Sequence, residues 1–503
     1  MENPLYNALF GKHVSNDAVF LQMSDGTTIT YDAFLRLAAK FANQLVELGL
    51  IPGDRLAVQI EKSPYALAIY AACVQAGVVF LPLNTAYTAE EVRYFVEDSG
   101  AKVMLCDDAK ADTLSPVAAS CGATLETMNG DGQGSFSLKA SALDDRFETI
   151  PRSGDDLAAF LYTSGTTGRS KGAMLTQTNL LTNARALMEE WQFTSHDILL
   201  HALPIFHTHG LFVASNVTLL AGSKMIFLPS FNLDEIIKQL PNASVMMGVP
   251  TFYTRLLGDK RFTHNLVGHM RLFVSGSAPL LAETHIQFEE RTSFRILERY
   301  GMTETNMNTS NPYIGERRAG TVGFPLPGTE IKITDSDSCE TLSQGEIGVI
   351  EVRGPNVFKG YWQMPEKTAE ELREDGFFIT GDLGRIDEDG YLQIVGRNKD
   401  LIISGGYNIY PKEIELLLDN EDDVLESAVI GVPHPDFGET VVGILIPAAK
   451  SKPDLEAIEA SIRASLARFK HPRKLIILPE LPRNTMGKVQ KNVLRDQFKD
   501  LFS

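Results

Sequence analysis

Apolar residues recur at helical spacing between positions 30 and 49 (Phe34, Leu35, Leu37, Ala38, Phe41, Leu45, Leu48). With Thr30 as an N-cap and Gly49 as a stop, the pattern predicts an amphipathic helix. A strand-like run at 54–60 follows, then a helical stretch over 64–77 and a strand over 78–83. Thr88-Ala89-Glu90-Glu91 has the capping-box pattern ahead of another helix, and 103–106 reads as a further strand. Short apolar runs in tight alternation with helices predict a parallel sheet with helices on its faces. Positions 107–155 are weaker in pattern and rich in Gly, Ser and Asp, and read as a variable, partly exposed region. The alternation resumes with a strand end at 157–161, a helix over 178–192, and strands at 197–203, 223–228, 245–249, 272–275 and 296–300. Pro250 is a first-turn proline, which places Arg255 one to two turns into a short helix at the carboxyl end of a strand.

The character changes near Gly323. Short strands at 345–353, 358–361 and 390–395 predict a smaller β-rich subdomain. The polar turn at 396–400 is the predicted boundary between a large α/β domain, 1–398, and a small α+β domain, 399–503. The latter pattern has strands at 401–404, 427–432, 441–447 and 475–478 and helices over 411–418 and 455–466. The expected fold class is α/β, with parallel sheets and a β-rich subdomain in the large domain.

Length and charge narrow the picture. A chain of 503 residues exceeds what one hydrophobic core organises. A formal net charge of −18 argues against a nucleic-acid binder and against attachment to anionic membrane, yet leaves room for a local cationic pocket. Cys73, Cys106, Cys121 and Cys339 are scattered without a CxxC, which reads as thiols in a reducing compartment. The first residues lack the features of a signal peptide, and no apolar run approaches the roughly 18 residues of a membrane span. A cytoplasmic location is expected.

Candidate chemistry concentrates in a few turns. Residues 161–172 follow a strand end with Ser164, Thr166, Thr167, three glycines (Gly165, Gly168, Gly172) and Lys171. Backbone N–H groups in such a loop, with hydroxyls and one point charge, suit a polyphosphate. It is not a Walker A loop, because Ser170 precedes Lys171. His207 and His209 stand two apart in a turn after a strand, without HExxH and without a nearby acid or cysteine, and read as cleft histidines rather than a metal pair. Gly276-Ser277-Ala278-Pro279 is small enough for a flat ligand to approach the backbone. Glu304, after Gly301-Met302-Thr303, is a natural magnesium ligand beside phosphate. Asp382, after Gly381, suits a pair of sugar hydroxyls.

Six stretches in this order, 162–172, 300–304, 380–382, 396–400, 405–415 and 482–488, resemble the motifs of the adenylate-forming acyl-CoA synthetases. Firefly luciferase and nonribosomal adenylation domains are relatives of that family. The resemblance runs from about 30 to 494. Ser170 departs from it, standing where the family usually has proline, which bears on loop stiffness more than on chemistry. The resemblance implies two half-reactions. A carboxylate attacks the α-phosphate of ATP to give an acyl-adenylate and pyrophosphate, and CoA then takes the acyl group and releases AMP.

By the same resemblance Thr163, Ser164, Gly165, Thr166, Thr167, Gly168 and Lys171 hold the β,γ-phosphates. Tyr300 stacks on adenine opposite Ser277, Ala278 and Pro279, within the strip Glu298, Arg299, Tyr300, Gly301, Met302 and Thr303. Thr303 touches the α-phosphate, Glu304 binds Mg²⁺, and Asp382 and Arg397 take the ribose. Lys488 bridges the substrate carboxylate and the α-phosphate. Rotation at Lys399 then presents Gly405, Gly406 and Tyr407 to the pantetheine channel. His207, Arg255, Ser277 and Met302 fall on the acyl side. A guanidinium at Arg255 is unwelcome to an apolar acyl tail and suited to a second carboxylate. The neighbourhood of His207, Arg255 and Met302 is similar to members that activate malonate, and often methylmalonate. Another small acid, or a free-standing enzyme that charges a carrier protein, remains the alternative. A lysine acetyltransferase acting on Lys488 is implied as a partner, and a monomer or homodimer is expected.

Overall fold

The computed structural model describes residues 2–163, 170–404, 407–435, 437–466, 468–484 and 487–502. Among these residues the strands form four sheets. After a short helix at Pro4–Leu9, the helix Tyr31–Glu47 is capped by the Thr30 side chain accepting from the Ala33 amide, and it buries Phe34, Leu35, Ala38, Phe41 and Leu45. The next, Pro64–Ala76, starts at a Ser63 cap and ends at Gly77 in the left-handed conformation. Its apolar residues run all round, and it is buried on every side, as such a helix must be. Thr88 and Glu91 form the reciprocal capping box.

These helices cover a six-stranded sheet that is parallel except for the antiparallel pair Leu157–Thr163 and Lys171–Thr176. A nine-stranded sheet lies beyond. In it Ile198–His201, Lys224–Phe227, Val245–Gly248, Leu272–Ser275 and Leu297–Met302 are joined by parallel pairings. A four-stranded antiparallel sheet follows, and a last sheet is built wholly from strands after Leu401. In that last sheet Val424–His434 and Gly438–Pro447 form a long hairpin. Val429, Val441 and Leu445 pack on one face, and Ile430, Val442 and Ile444 pack with Leu494 on the other.

One expectation from the sequence needs correction and another is filled in. Positions 107–155 are partly exposed, as expected, and carry helices Ala111–Ser120 and Ser135–Ser141 and a strand Thr124–Thr127 that extends the parallel sheet. A four-residue strand with one buried residue gives too little periodicity to stand out. The predicted strand at 358–361 is not one. Only Tyr361 makes a bridge, to Ala173, and the Met174 amide donates to the Gly360 carbonyl while the Trp362 amide donates to the Gly172 carbonyl. This short strip ties the edge of one sheet to the residues around Glu304.

His209–Ser215 forms a π-helical turn that runs into the helix Asn216–Ala221. The Gly210 carbonyl accepts from Ser215 Oγ at 2.9 Å and lies 2.9 Å from His201 Nε2. A Cβ on Gly210 would lie 2.0 Å from the Pro204 carbonyl oxygen, which backbone cannot yield cheaply. Gly210→Ala is therefore expected to lose about 2 kcal/mol or more of stability. Chemical denaturation measures this, and an unshifted midpoint would mean that the turn gives way freely.

Candidate active site

The carboxyl ends of four neighbouring strands, ending at His201, Gly248, Ser275 and Met302, open onto one cleft, the place where open α/β sheets gather ligands. The strand Leu297–Met302 divides that cleft by its own alternation. Tyr300 faces the four-stranded sheet, and its hydroxyl donates to Asp382 Oδ2 at 2.6 Å. Asp382 stands directly opposite Arg397 in the antiparallel ladder, with Arg397 Nε 3.4 Å from Oδ1. Burial and the Asp382 charge hold the Tyr300 hydroxyl far above the usual phenol range. Ser277 carries a positive φ of 73°, beside the half-buried Ala278 and the exposed Pro279. Glu298 points elsewhere. It is buried against His285, at 3.7 Å, and burial pushes its carboxyl up.

On the second side stands Glu304, 4% exposed, its carboxyl raised by burial. Its Oε1 accepts from Thr163 Oγ1 at 3.4 Å and from the Tyr361 hydroxyl at 3.0 Å. The same Tyr361 hydroxyl lies 2.6 Å from Glu371 Oε2. Lys171 Nζ reaches both Glu371 oxygens at 3.2 Å and sits 4.0 Å over the Tyr361 ring. Ser164, Gly165, Thr166, Thr167 and Gly168 lie outside the described residues, as do Gly405 and Gly406; Tyr407 pairs with Ser404 through its backbone. Thr303 and Met302 are half-buried at the turn before Glu304. Among the described residues no three or more His, Cys, Asp or Glu side chains gather as a metal cage. The donors fit Mg²⁺ all the same, since that ion is held by one or two carboxylates and the phosphates of its substrate. Tyr361 and Glu371 were not singled out in the sequence, and no spacing connects them to Glu304. The strip beside Gly172 does so in three dimensions.

The third side is cationic and unpaired. Arg299 points away from Tyr300 and packs so tightly on Gly276 that a Cβ there would lie 2.3 Å from the guanidinium carbon. It is 4% exposed, and its Nε and Nη2 have no hydrogen-bond partner among the described residues. Thr208 Oγ1, His209 Nε2 and Ser275 Oγ are likewise buried and unpartnered. Such groups are rare and mark a place for a polar ligand. Burial pulls the Arg299 guanidinium down to about 9. Burial, then the charges of Arg299 and Lys488, pulls His207 down to about 4. His209, whose Nδ1 lies 3.2 Å from Ser277 Oγ, is held well below an ordinary histidine by burial and by Arg299. Both histidines are therefore neutral near pH 7. Arg255 is not the buried guanidinium that its position in the sequence suggested. Phe252, Tyr253 and Leu256 take the inner face of its helix, while Arg255 is exposed with its guanidinium 5.6 Å over the Phe231 ring.

Lys488 closes the cleft from the last part of the chain. Arg483 bridges to Val489, Lys488 N donates to Asn484 Oδ1 at 2.9 Å, and Gly487 takes a φ of 76°. This tight turn brings Gly487 against Thr251, to which a Cβ would come within 3.6 Å. Burial, then the Arg397 charge, lowers the Lys488 amine to about 8. Lys399 lies in the 3₁₀ turn Asn398–Asp400, where Asp400 is bound by Arg495 at 2.8 Å.

Comparison with known proteins places this geometry. The AMP-binding enzyme family matches residues 11–362, and its C-terminal domain matches residues 413–488. The chain is 38% identical to a malonate–CoA ligase of Arabidopsis thaliana over 480 residues, 89% of this chain and 78% of that enzyme. It is 54% identical to MatB of Rhodopseudomonas palustris over the whole of both chains. Its TM-score is 0.98 against the ATP-bound crystal structure of that protein and 0.87 against the apo form.

A buried guanidinium without a counter-charge is a cost to the fold. Arg299→Met, similar in size, is expected to raise stability by about 1 kcal/mol or more in urea unfolding. A destabilised variant would show instead that the guanidinium is compensated within the protein.

Proposed function

Because the chain belongs to the AMP-binding enzyme family, we propose that it is an ATP-dependent malonate–CoA ligase, accepting methylmalonate as well. Malonate and ATP give malonyl-AMP and pyrophosphate; CoA then gives malonyl-CoA and AMP. The observation that carries this reading is the buried, unpartnered Arg299 among neutral histidines. A fatty or aryl tail gains nothing from a desolvated cation, whereas a second carboxylate supplies the missing charge and both missing acceptors. Arg299 thus joins Arg255, which serves as an outer contact, and His207, Ser277 and Met302 line the same acyl side.

The first step brings together two anions, so it needs charge neutralisation and alignment more than a covalent catalyst. In this reading Tyr300 and the Ser277–Pro279 backbone hold adenine, and Asp382 with Arg397 receives the ribose hydroxyls. Thr303 contacts the α-phosphate, and Lys171 with the loop from Thr163 to Gly168 holds the leaving pyrophosphate. Magnesium at Glu304 would supply positive charge to the phosphate oxygens when bound. Lys488 donates hydrogen bonds to the attacking carboxylate oxygen and to the α-phosphate as the O–P bond forms and the bond to pyrophosphate breaks. For the second step the unit 399–503 turns about Lys399 relative to 1–398, withdraws Lys488, and brings Gly405, Gly406 and Tyr407 to the thiol. Acetylation of Lys488 by a lysine acetyltransferase would remove the adenylation charge.

AMP release with CoA over a panel of malonate, methylmalonate, acetate, propionate and benzoate tests the substrate, with malonate expected to lead. Arg299→Ala is expected to lose at least about tenfold in kcat/KM for malonate. If a monocarboxylate leads the panel in the native enzyme, the dicarboxylate reading fails.

Lys488 must be protonated to bridge two anions. Its protonated fraction falls as pH rises through about 8. Pyrophosphate exchange measured as kcat/KM is therefore expected to decline above about pH 8. A profile that stays flat through that range would remove Lys488 from the charged role.

A further inference from the structure

Lys171 is not free to meet a phosphate. Its Nζ lies 3.2 Å from each oxygen of Glu371, with the two side chains only 13% and 22% exposed. The arrangement is fixed on three sides. Lys171 begins the strand Lys171–Thr176, whose Ala173 bridges to Tyr361. Tyr361 lies under the ammonium, and its hydroxyl is shared between Glu304 and Glu371. Glu371 is the last residue of the helix Pro365–Glu371, where Lys367 Nζ stands 3.0 Å from the same carboxylate. Burial alone would raise the Glu371 carboxyl, but the Tyr361, Lys367 and Lys171 contacts hold it below the usual range, so it is an anion near pH 7.

We propose that Glu371 is a resident counter-ion that occupies Lys171 until the β,γ-phosphates of ATP displace it. Glu371 is thus a positioning residue for the nucleotide step. The carboxylate holds the ammonium in place in the absence of nucleotide, which avoids a stranded cation in a half-buried site. When ATP arrives, Lys171 exchanges one anion for another. Lys367 remains to neutralise Glu371, and the Tyr361 hydroxyl keeps both carboxylates in place. The reverse exchange helps pyrophosphate leave, because Glu371 competes for the same ammonium. Nucleotide and pyrophosphate affinity are therefore set by a competition inside the protein as well as by the phosphate contacts.

This inference rests on the reading of the cleft as the ATP site, and the experiment separates the two. ATP and pyrophosphate binding is titrated calorimetrically, with Mg²⁺, for the native chain and for E371Q, K171A and the double variant. E371Q is expected to bind both ligands about fivefold more tightly than the native chain, an exchange of moderate size for a half-buried ion pair. In the K171A background the same substitution is expected to have no effect. Absence of ATP binding by the native chain would overturn the ATP-site reading itself. Given native binding, weaker or unchanged binding by E371Q, or an equal gain with and without Lys171, would overturn the counter-ion. E371A serves if E371Q fails to fold, with the same outcomes.

Discussion

The two-residue alternation of the strand Leu297–Met302 is the constraint on which the cleft depends. Successive side chains on a strand point to opposite faces. Here that rule sends Tyr300 to Asp382 and Arg299 to the closed end beside Gly276, His207 and His209. One residue of slip would put the guanidinium beside the carboxylate of Asp382, and the two would neutralise each other. The register keeps them apart, so one face of the strand offers an aromatic ring tied to a carboxylate while the other keeps a guanidinium whose Nε and Nη2 have no partner among the described residues. The parallel pairing to Leu272–Ser275 and the antiparallel pairing to Asn306–Ser310 hold the register from both edges.

Around that strand the same theme recurs in three forms. At Arg299 the positive charge is buried, with Nε and Nη2 unpartnered among the described residues. At Lys171 it is half-buried and compensated by a carboxylate that belongs to the chain. At Lys488 it comes from the last part of the chain, and burial with Arg397 nearby weakens its hold on the proton. A protein of net charge −18 thus gathers three cations at one cleft, which concentrates the field where anionic substrates are to be brought together. The neutral histidines between them add polar contacts without adding charge to be countered.

Much of this was legible in the sequence where the signal is local. The caps at Thr30 and Thr88 and the stop at Gly49 mark helix ends through a few neighbouring atoms, and the folded chain uses them. The four carboxyl-end turns were legible for the same reason, since each couples a short apolar run to a polar turn. What depended on direction was not. Arg255 and Arg299 are both arginines near strand ends, and only the fold shows that the first lies on the outer face of a helix while the second points inward. Tyr361 and Glu371 were invisible because they meet Glu304 and Lys171 across long stretches of chain, through an irregular strip that lacks strand periodicity.

That strip also carries Trp362, one of two tryptophans in the chain. Its amide donates to the Gly172 carbonyl and its indole Nε1 donates to the Asp98 carbonyl at 2.9 Å, with the Arg55 guanidinium 5.2 Å from the ring. The other, Trp191, is fully buried and fixed to Ser310. One indole is therefore locked in the core, and the other stands beside a guanidinium at the strand edge that begins with Lys171 and Gly172. The tie from Asp98 through the Trp362 indole to Gly172 thus joins a helix end to the strand that carries Lys171.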